Sequence, residues 1–234
     1  NIENSNAICF FFDGTYIWAG LYTDPVKILK INPIDNSYTV FTGATNEGYC
    51  YALTFDGTYV WAGLWTSPAK MLKINPTDNS YTVITGTADE NGCTALTFDG
   101  THIWTGLYAS PVKILKINPV NNSYTVITGA AGENICRALT FDGTYVLVGL
   151  YTSPAKILKI NPTDNSYTVF TGAAGEDYCM VLQAEQTPPN IIATSITGIP
   201  SDPCIFGSCT VSVTVTWTNN GQATGAIVPN ITID

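Results

Sequence analysis

A unit of 43 residues occurs four times in this chain, and it limits the possible folds more than any other feature. The run Phe-Asp-Gly-Thr and a later Asn-Pro pair keep the same distance from each other in every copy. The four runs begin at Phe12, Phe55, Phe98 and Phe141. Because the spacing never changes, each unit is one structural module without insertions. A residue found in all four copies therefore belongs either to the architecture of the module or to a multiplied site.

Each module is predicted to form four short strands joined by turns. In the second copy, residues 50–56 alternate with a period of two, and Asp56-Gly57 is a strong hairpin signal. Further strands are predicted over 59–65, 69–74 and 80–85, and no segment has a helical period. Units of this kind predict an all-β fold: a β-propeller-type array of four 43-residue four-stranded blades, followed by a C-terminal partial β-sandwich.

The second module resembles a known class of blades. Ala-Leu-Thr-Phe-Asp-Gly-Thr-Tyr-Val-Trp at 52–61 and Lys-Ile-Asn-Pro-Thr-Asp at 73–78 are similar to the YVTN and streptogramin-lyase-like β-propellers, and the likeness extends roughly over residues 7–185. It implies the fold and not an activity, because such propellers host unrelated functions. Streptogramin lyases depend on histidines with a glutamate, whereas His102 is the single histidine of this chain. The resemblance therefore does not imply lyase activity.

The number of strands does not fit four blades. Residues 179–185 match 136–142 in register, so the array predicted over 1–186 contains a fifth first strand without the other three strands of its module. This extra strand could close the ring in place of the N-terminal strand, or the array could be part of a larger ring. It could also pair with another chain by β-augmentation.

A different domain is predicted after a short stiff linker at 187–189. The segment 213–225 resembles the early strands of immunoglobulin-like adhesion domains of the CARDB kind. A sandwich of that type needs ~100 residues, so the domain at 190–234 is expected to be incomplete or completed by a partner's strand. Its strands are predicted over 191–198, 210–219 and 226–233. Cys204 and Cys209 have a spacing that suits a small disulfide loop.

Composition excludes some partners and favours others. Charged residues make up only 12% of the chain, about half the usual share, and the net charge is -9 at pH 7. Nucleic acid is not expected as a partner, because no basic stripe is present to neutralise phosphates. No apolar stretch reaches the ~18 residues of a membrane helix, so no membrane span is expected. Low charge with many Thr, Ser, Asn and Tyr residues is typical of secreted proteins, which predicts an extracellular or cell-surface location.

Two repeated polar positions could hold ions or stabilise the blades. A ring of thiols could bind a soft metal, but buried small residues between blades are the favoured interpretation, because Cys-x-x-Cys spacing is absent. A glutamate that repeats in the loops between modules could bind cations or glycans, but hydrogen bonds to backbone amides of the next blade are the favoured interpretation. The positions are Cys50, Cys93, Cys136 and Cys179 (with Ala7 and then Cys9 in the first copy), and Glu47, Glu90, Glu133 and Glu176. No cofactor or metal is expected, and copies this uniform do not predict an enzyme.

Repeated aromatic residues are the better candidates for binding. One set lies beside the Ser-Pro turn, where exposed rings could stack on sugars with multivalence. A second set, Trp18, Trp61 and Trp104, fits packing between blades. The tentative glycan-stacking residues are Tyr22, Trp65, Tyr108 and Tyr151.

Two functions follow as hypotheses. The first is an extracellular or cell-surface structural or adhesion protein, whose partners would be other copies of itself in a filament assembled by strand pairing. The alternative is a multivalent, lectin-like propeller that binds surface glycans.

Overall fold

The computed structural model describes residues 6–180, Leu182, and two short segments at 209–212 and 230–233. The chain divides into two compact units, Asn1–Ala184 and Glu185–Asp234. The first unit contains four antiparallel sheets, and each sheet has its four strands in sequence order. We call each of these sheets a blade.

The strand boundaries follow the 43-residue repeat. Blade 1 contains β1 Ala7–Phe12, β2 Ile17–Leu21, β3 Lys27–Ile31 and β4 Tyr38–Thr42. Blade 2 contains β5 Cys50–Phe55, β6 Val60–Leu64, β7 Lys70–Ile74 and β8 Tyr81–Thr85. Blade 3 contains β9 Cys93–Phe98, β10 Ile103–Leu107, β11 Lys113–Ile117 and β12 Tyr124–Thr128. Blade 4 contains β13 Cys136–Phe141, β14 Val146–Leu150, β15 Lys156–Ile160 and β16 Tyr167–Thr171. The predicted all-β fold with four repeated blades is confirmed.

The Asp-Gly turn between the first two strands is stabilised by its own aspartate. In blade 2, Oδ1 of Asp56 accepts hydrogen bonds from the backbone N–H groups of Thr58 at 2.8 Å and Tyr59 at 2.7 Å. Gly57 has a φ of 93°, which glycine adopts without the steric cost of a side chain. The other three blades repeat these bonds at their own Asp-Gly turns. The Asp-Gly pair that predicts a hairpin in the sequence therefore forms the same turn in all four blades.

Neighbouring blades pack face to face, and the hydrophobic core lies between them. The first strands contact one another in order, β1 with β5, β5 with β9, and β9 with β13. The buried cluster at the first junction combines Trp18 and Ile28 of blade 1 with Leu53 and Val60 of blade 2. Equivalent clusters lie at the other two junctions. Each blade thus covers its faces only by packing on its neighbours, as in propellers.

The described strands form an open series. β1 and β13 have no packing comparable to that between neighbouring first strands. The predicted fifth first strand begins on blade 4: the Cys179 N–H donates to the Leu150 carbonyl at 3.1 Å, and a Cβ on Gly149 would lie 2.7 Å from the Cys179 sulfur. Of its residues, 179, 180 and 182 are described and form no strand. The others, 181 and 183–185, lie outside the described residues.

The second unit is described at two strands only, β17 Cys209–Ser212 and β18 Asn230–Ile233, which pair antiparallel. They overlap the strands predicted over 210–219 and 226–233. The predicted strand at 191–198, the linker at 187–189, Cys204 and the side chain of Cys209 lie outside the described residues. The immunoglobulin-like sandwich and the disulfide therefore stay predictions. Within the described ranges, no helix has the length and hydrophobicity needed to cross a membrane.

Candidate aromatic binding surface

Repeated aromatic side chains lie at one end of the blades. Because the strands of a blade run alternately up and down, the turn after the second strand and the connection to the next blade lie at the same end. Each residue of the set comes directly after the second strand of its blade. Their backbone N–H groups donate to the loop before the first strand, as Tyr151 does to the Ile135 carbonyl at 2.9 Å. The set is Tyr22, Trp65, Tyr108 and Tyr151.

Rings from the neighbouring loops and from β5 connect this set. The Tyr22 ring stacks on Tyr49 with centroids 4.5 Å apart. Tyr51 stacks on Trp65 at 4.9 Å, and Trp65 meets the Tyr108 ring edge to face, also at 4.9 Å. We call the whole series the aromatic row: Tyr22, Tyr49, Tyr51, Trp65, Tyr108, Arg137, Tyr151 and Tyr178.

Arg137 connects the third and fourth blades in the row. Its guanidinium carbon lies 5.7 Å from the ring centroid of Tyr108 and 5.3 Å from that of Tyr151. These distances are typical of cation–π contacts. The Tyr151 ring stacks in turn on Tyr178 at 4.3 Å. The row therefore runs through all four blades.

Backbone strain is located beside the row. The residue before the repeated cysteine has a positive φ in every copy, 58° at Tyr49, 53° at Gly92, 47° at Ile135 and 59° at Tyr178. A left-handed backbone costs ~1–2 kcal/mol for residues other than glycine, and it is especially unfavourable for a β-branched residue. Two of the strained residues are tyrosines that stack within the row. Strain of this kind often marks functional sites.

The row is accessible to a partner. Tyr22, Tyr108 and Tyr151 are 39–47% exposed, and Trp65 is half-buried. A shallow pocket of about 230 Å³ lies between Trp65 and Tyr108, where the Ser67 hydroxyl donates to Asn91 Oδ1 at 2.7 Å. Flat apolar faces beside hydroxyl and amide groups can stack on sugar rings or pack against a protein surface.

The four predicted residues lie at equivalent places in the row, and their role in binding stays a prediction. Sequence reasoning missed Tyr49, Tyr51, Arg137 and Tyr178, because other copies hold Gly, Ile or Thr at those positions. Each lies within one residue of a repeated cysteine. That cysteine begins the first strand of blades 2, 3 and 4, so its neighbours were the available signal.

The other repeated aromatic position belongs to the core. The Trp18, Trp61 and Trp104 side chains are fully buried, and each indole N–H donates to Oδ2 of the turn aspartate at 2.6–2.8 Å. In blade 1, burial opposes ionisation of Asp13, but hydrogen bonds from the Tyr16 backbone and the Trp18 indole hold its pKa below the usual value. This position is architectural.

The repeated glutamates connect each blade to the next. Their Oε2 atoms accept the backbone N–H three residues earlier at 2.7–2.8 Å. They also accept a tyrosine hydroxyl from the following blade at 3.0–3.1 Å. Burial and then the glutamate raise the pKa of these tyrosines. The amide partner predicted in the next blade is thus corrected to an amide of the same loop. The pairs are Tyr81–Glu47, Tyr124–Glu90 and Tyr167–Glu133.

The repeated cysteines begin first strands and pack against the second strand of the preceding blade. Cys50, Cys93 and Cys136 are fully buried. Each sulfur lies so close to a glycine of the preceding blade that a Cβ on that glycine would overlap it. Burial raises the pKa of Cys136 to about 12. Within the described part of the chain, no group of three or more His, Cys, Asp or Glu side chains is arranged to hold a metal ion.

No protein-family model matches the chain, and no curated protein matches it. Solved structures do match. The structure of U3-55K is 16% identical with a TM-score of 0.62, and the match covers 74% of this chain and 54% of that chain. The RRP9 WD40 repeats are 16% identical with a TM-score of 0.59, covering 73% and 52%. A chain of the mitotic checkpoint complex is 11% identical with a TM-score of 0.59, covering 71% and 51%.

The chain spans about half the length of these three proteins. At such low identity the likeness shows the fold alone. WD40 repeats are propeller blades, and the four sheets of this chain have the same meander of four strands. The first unit is therefore a β-propeller-type array.

Proposed function

We propose that this chain is a structural or adhesion protein of the cell surface or extracellular space that acts by association and not by catalysis. One contrast carries the proposal. The repeated glutamates, cysteines and tryptophans are engaged within the blades or at their junctions, whereas the side chains of the aromatic row are exposed or half-buried along all four blades. Repetition of one weak contact along a rigid array gives avidity without any new chemistry.

Two further observations support an association role. One similar structure is that of a chain in a multiprotein complex, the mitotic checkpoint complex. The C-terminal segment 213–225 resembles adhesion domains. Copies of the chain itself are among the proposed partners, and a filament is the proposed assembled form.

The location is tested on intact cells of the source organism. An antibody against the four-blade unit is expected to label cells before permeabilisation, and peptides of this unit are expected in the fraction that protease releases from the cell surface. A cytosolic protein serves as the control for leakage. Labelling only after permeabilisation would contradict the proposal.

Multivalent glycan binding is the second candidate function. The observation that favours it is the exposed stacking of Tyr22 on Tyr49 and of Tyr151 on Tyr178. The pocket between Trp65 and Tyr108 adds hydroxyl and amide groups that can bond sugar hydroxyls.

Trp65 provides an internal probe for this function. Oligosaccharides that a glycan array identifies are expected to change Trp65 fluorescence, and Trp65→Phe should remove the signal. A combined Tyr22→Ala, Tyr108→Ala and Tyr151→Ala variant should lose binding at least about 30-fold. Val120→Ala, which alters an exposed residue in a turn outside the row, is the matched control. If no glycan on the array binds, the second candidate function is contradicted and only the first remains.

A further inference from the structure

The two ends of the blade series expose positions that are buried at every internal junction. On the first strand, Phe10 is 64% exposed, whereas its equivalents in the other blades are 8–9% exposed. On the last strand, Phe170 is 66% exposed, whereas its equivalents are 5–9% exposed. The buried equivalents are Leu53, Leu96 and Leu139 for Phe10, and Phe41, Ile84 and Ile127 for Phe170. One face of blade 1 and one face of blade 4 are therefore uncovered, although the equivalent faces of the other blades are buried at the three internal junctions.

The polar contacts of the junctions are also left incomplete at the ends. Each internal junction has a tyrosine hydroxyl bound to a glutamate of the preceding blade. The equivalent tyrosine of blade 1 is Tyr38, which is 54% exposed, and the structure places no hydrogen-bond partner on its hydroxyl within the described residues. The equivalent glutamate of blade 4 is Glu176, which is exposed, and among the described residues its carboxylate accepts a hydrogen bond only from the Ala173 N–H of its own loop.

A lysine contact also joins neighbouring blades and is incomplete at the end of the series, but here the donor lies on the preceding blade and the acceptor on the following one. Lys30 donates to the Pro76 carbonyl at 2.8 Å, and Lys73 and Lys116 donate to the equivalent carbonyls of blades 3 and 4. Lys159 of blade 4 is the fourth member, and it is exposed above the Tyr145 ring. The carbonyl that corresponds to its partner belongs to Pro33 of blade 1.

We infer that copies of this chain associate head to tail, with blade 1 of one copy packed on blade 4 of another as blade n+1 packs on blade n. Phe10 then packs against the side of the sheet that carries Phe170. The Tyr38 hydroxyl donates to Glu176, and Lys159 donates to the Pro33 carbonyl. The two surfaces are complementary because the same junction already forms three times within the chain. Such a contact joins unlike surfaces, so it produces a ring or a filament.

Met180 and Leu182, which follow Cys179, have to make room for this contact. Cys179 occupies the place on Gly149 that Ala7 of the second copy would take. The second copy therefore meets blade 4 from Cys9 onward, and Leu182, which corresponds in the repeat to Phe10, has to leave room for that side chain. A complete blade can displace it because residues 179, 180 and 182 form no strand. This inference deepens the proposed structural role, on which it relies for the choice of a second copy as the partner.

Complementation between two blocked variants tests the arrangement. In sedimentation velocity over a concentration series, the intact chain is expected to associate, and Phe10→Glu or Phe170→Glu should each weaken self-association at least about 30-fold. An equimolar mixture of the two variants should form a 1:1 complex, because each retains one intact surface. Val120→Glu is the matched control and should associate normally. A monomer at all concentrations, or single variants that still self-associate, would overturn the inference.

Leu182→Asp separates surface docking from strand pairing. Leu182 corresponds in the repeat to Leu139 of blade 4. If a second copy docks on blade 4, weakening the competing segment should tighten association. Weaker association would mean that the residues around Leu182 themselves pair with another copy, which contradicts the docking inference. Neither readout depends on glycan binding or on location. A monomer at all concentrations would remove the filament from the proposed function, whereas the surface location and the glycan binding are decided by their own experiments.

Discussion

The internal junctions and the two ends contain the same kinds of residue but differ in what those residues contact. Leu96 on β9 is buried against blade 2, whereas Phe10 at the same position of β1 is exposed. The Tyr124 hydroxyl donates to Glu90, whereas no glutamate among the described residues accepts from Tyr38. The repeat determines which residue occupies a position, and contact with a neighbouring blade determines how much that side chain contributes to the free energy of unfolding. Matched substitutions at the junctions and at the ends can therefore measure what one blade contributes to the next.

The largest difference is expected for truncation of the first-strand apolar residue. Leu96→Ala removes buried contacts and leaves a cavity, which should lower the free energy of unfolding by about 2–5 kcal/mol. Phe10→Ala should change it by about 0.5 kcal/mol or less, because that side chain is mostly exposed. Urea unfolding in dilute solution, where copies do not associate, measures both. Equal losses would show that β1 is covered in solution even in the monomer.

A methyl group added beneath the cysteine should give the next largest difference. The Cβ of Gly106→Ala would overlap the sulfur of Cys136, which is fully buried between two blades. Overpacking of this kind costs about 1–3 kcal/mol. Gly149→Ala places the same group 2.7 Å from the sulfur of Cys179, a wider approach to a side chain that is only half-buried, so its loss should be smaller. Thermal unfolding of the two variants compares them, and the reverse order would contradict the difference between junction and end.

Removal of one hydroxyl should have a smaller effect. Tyr124→Phe leaves Glu90 without its partner from blade 3, for an expected loss of about 1–2 kcal/mol. Tyr38→Phe should be neutral to within about 0.5 kcal/mol in the monomer. In the assembled form Tyr38→Phe should weaken association, so the same variant has a measurable effect in only one state. Loss of monomer stability on this substitution would contradict the assignment.

The smallest difference is expected in the response to alkaline pH. Burial raises the pKa of Cys136 from its ordinary value of 9.0 to about 12. The folded state then holds a proton that the unfolded state loses, so this contribution to stability is complete below pH 9 and declines as pH rises from 9 toward 12. Cys136→Ala should reduce the decline between pH 8.5 and 9.5 by less than about 1 kcal/mol. Cys179→Ala, at the half-buried end position, should reduce it less, and an unchanged slope in Cys136→Ala would contradict the assignment.

Much of the fold could be predicted from the sequence, because the signals are local. Asp56-Gly57 specifies a hairpin through its own hydrogen bonds and a glycine with positive φ. The Trp set and the cysteines could be interpreted as packing residues because three of the four modules carry each of them. What joins the blades could not be predicted in the same way. The bond from Tyr81 to Glu47 connects residues 34 positions apart, and nothing in either local pattern marks the other as its partner.

The aromatic row shows a second limit of the sequence pattern. Tyr22 and Tyr151 could be identified because their position repeats, but Tyr49 and Tyr178 occupy a position that changes between copies. Their contribution depends on a left-handed backbone that only the folded loop imposes. Side chains that depart from the repeat are the ones that make the four blades different from one another.

The open series also has a consequence for how the molecule loses structure. In an array of this kind stability is a sum over repeats and their nearest-neighbour junctions, so blades with two neighbours are protected more than blades with one. Amide exchange should then be slowest in blades 2 and 3 and fastest in blades 1 and 4. Head-to-tail contact turns an end blade into an interior one, which links protein concentration to the rate at which the ends open. Dilution alone could therefore expose the edges of the array.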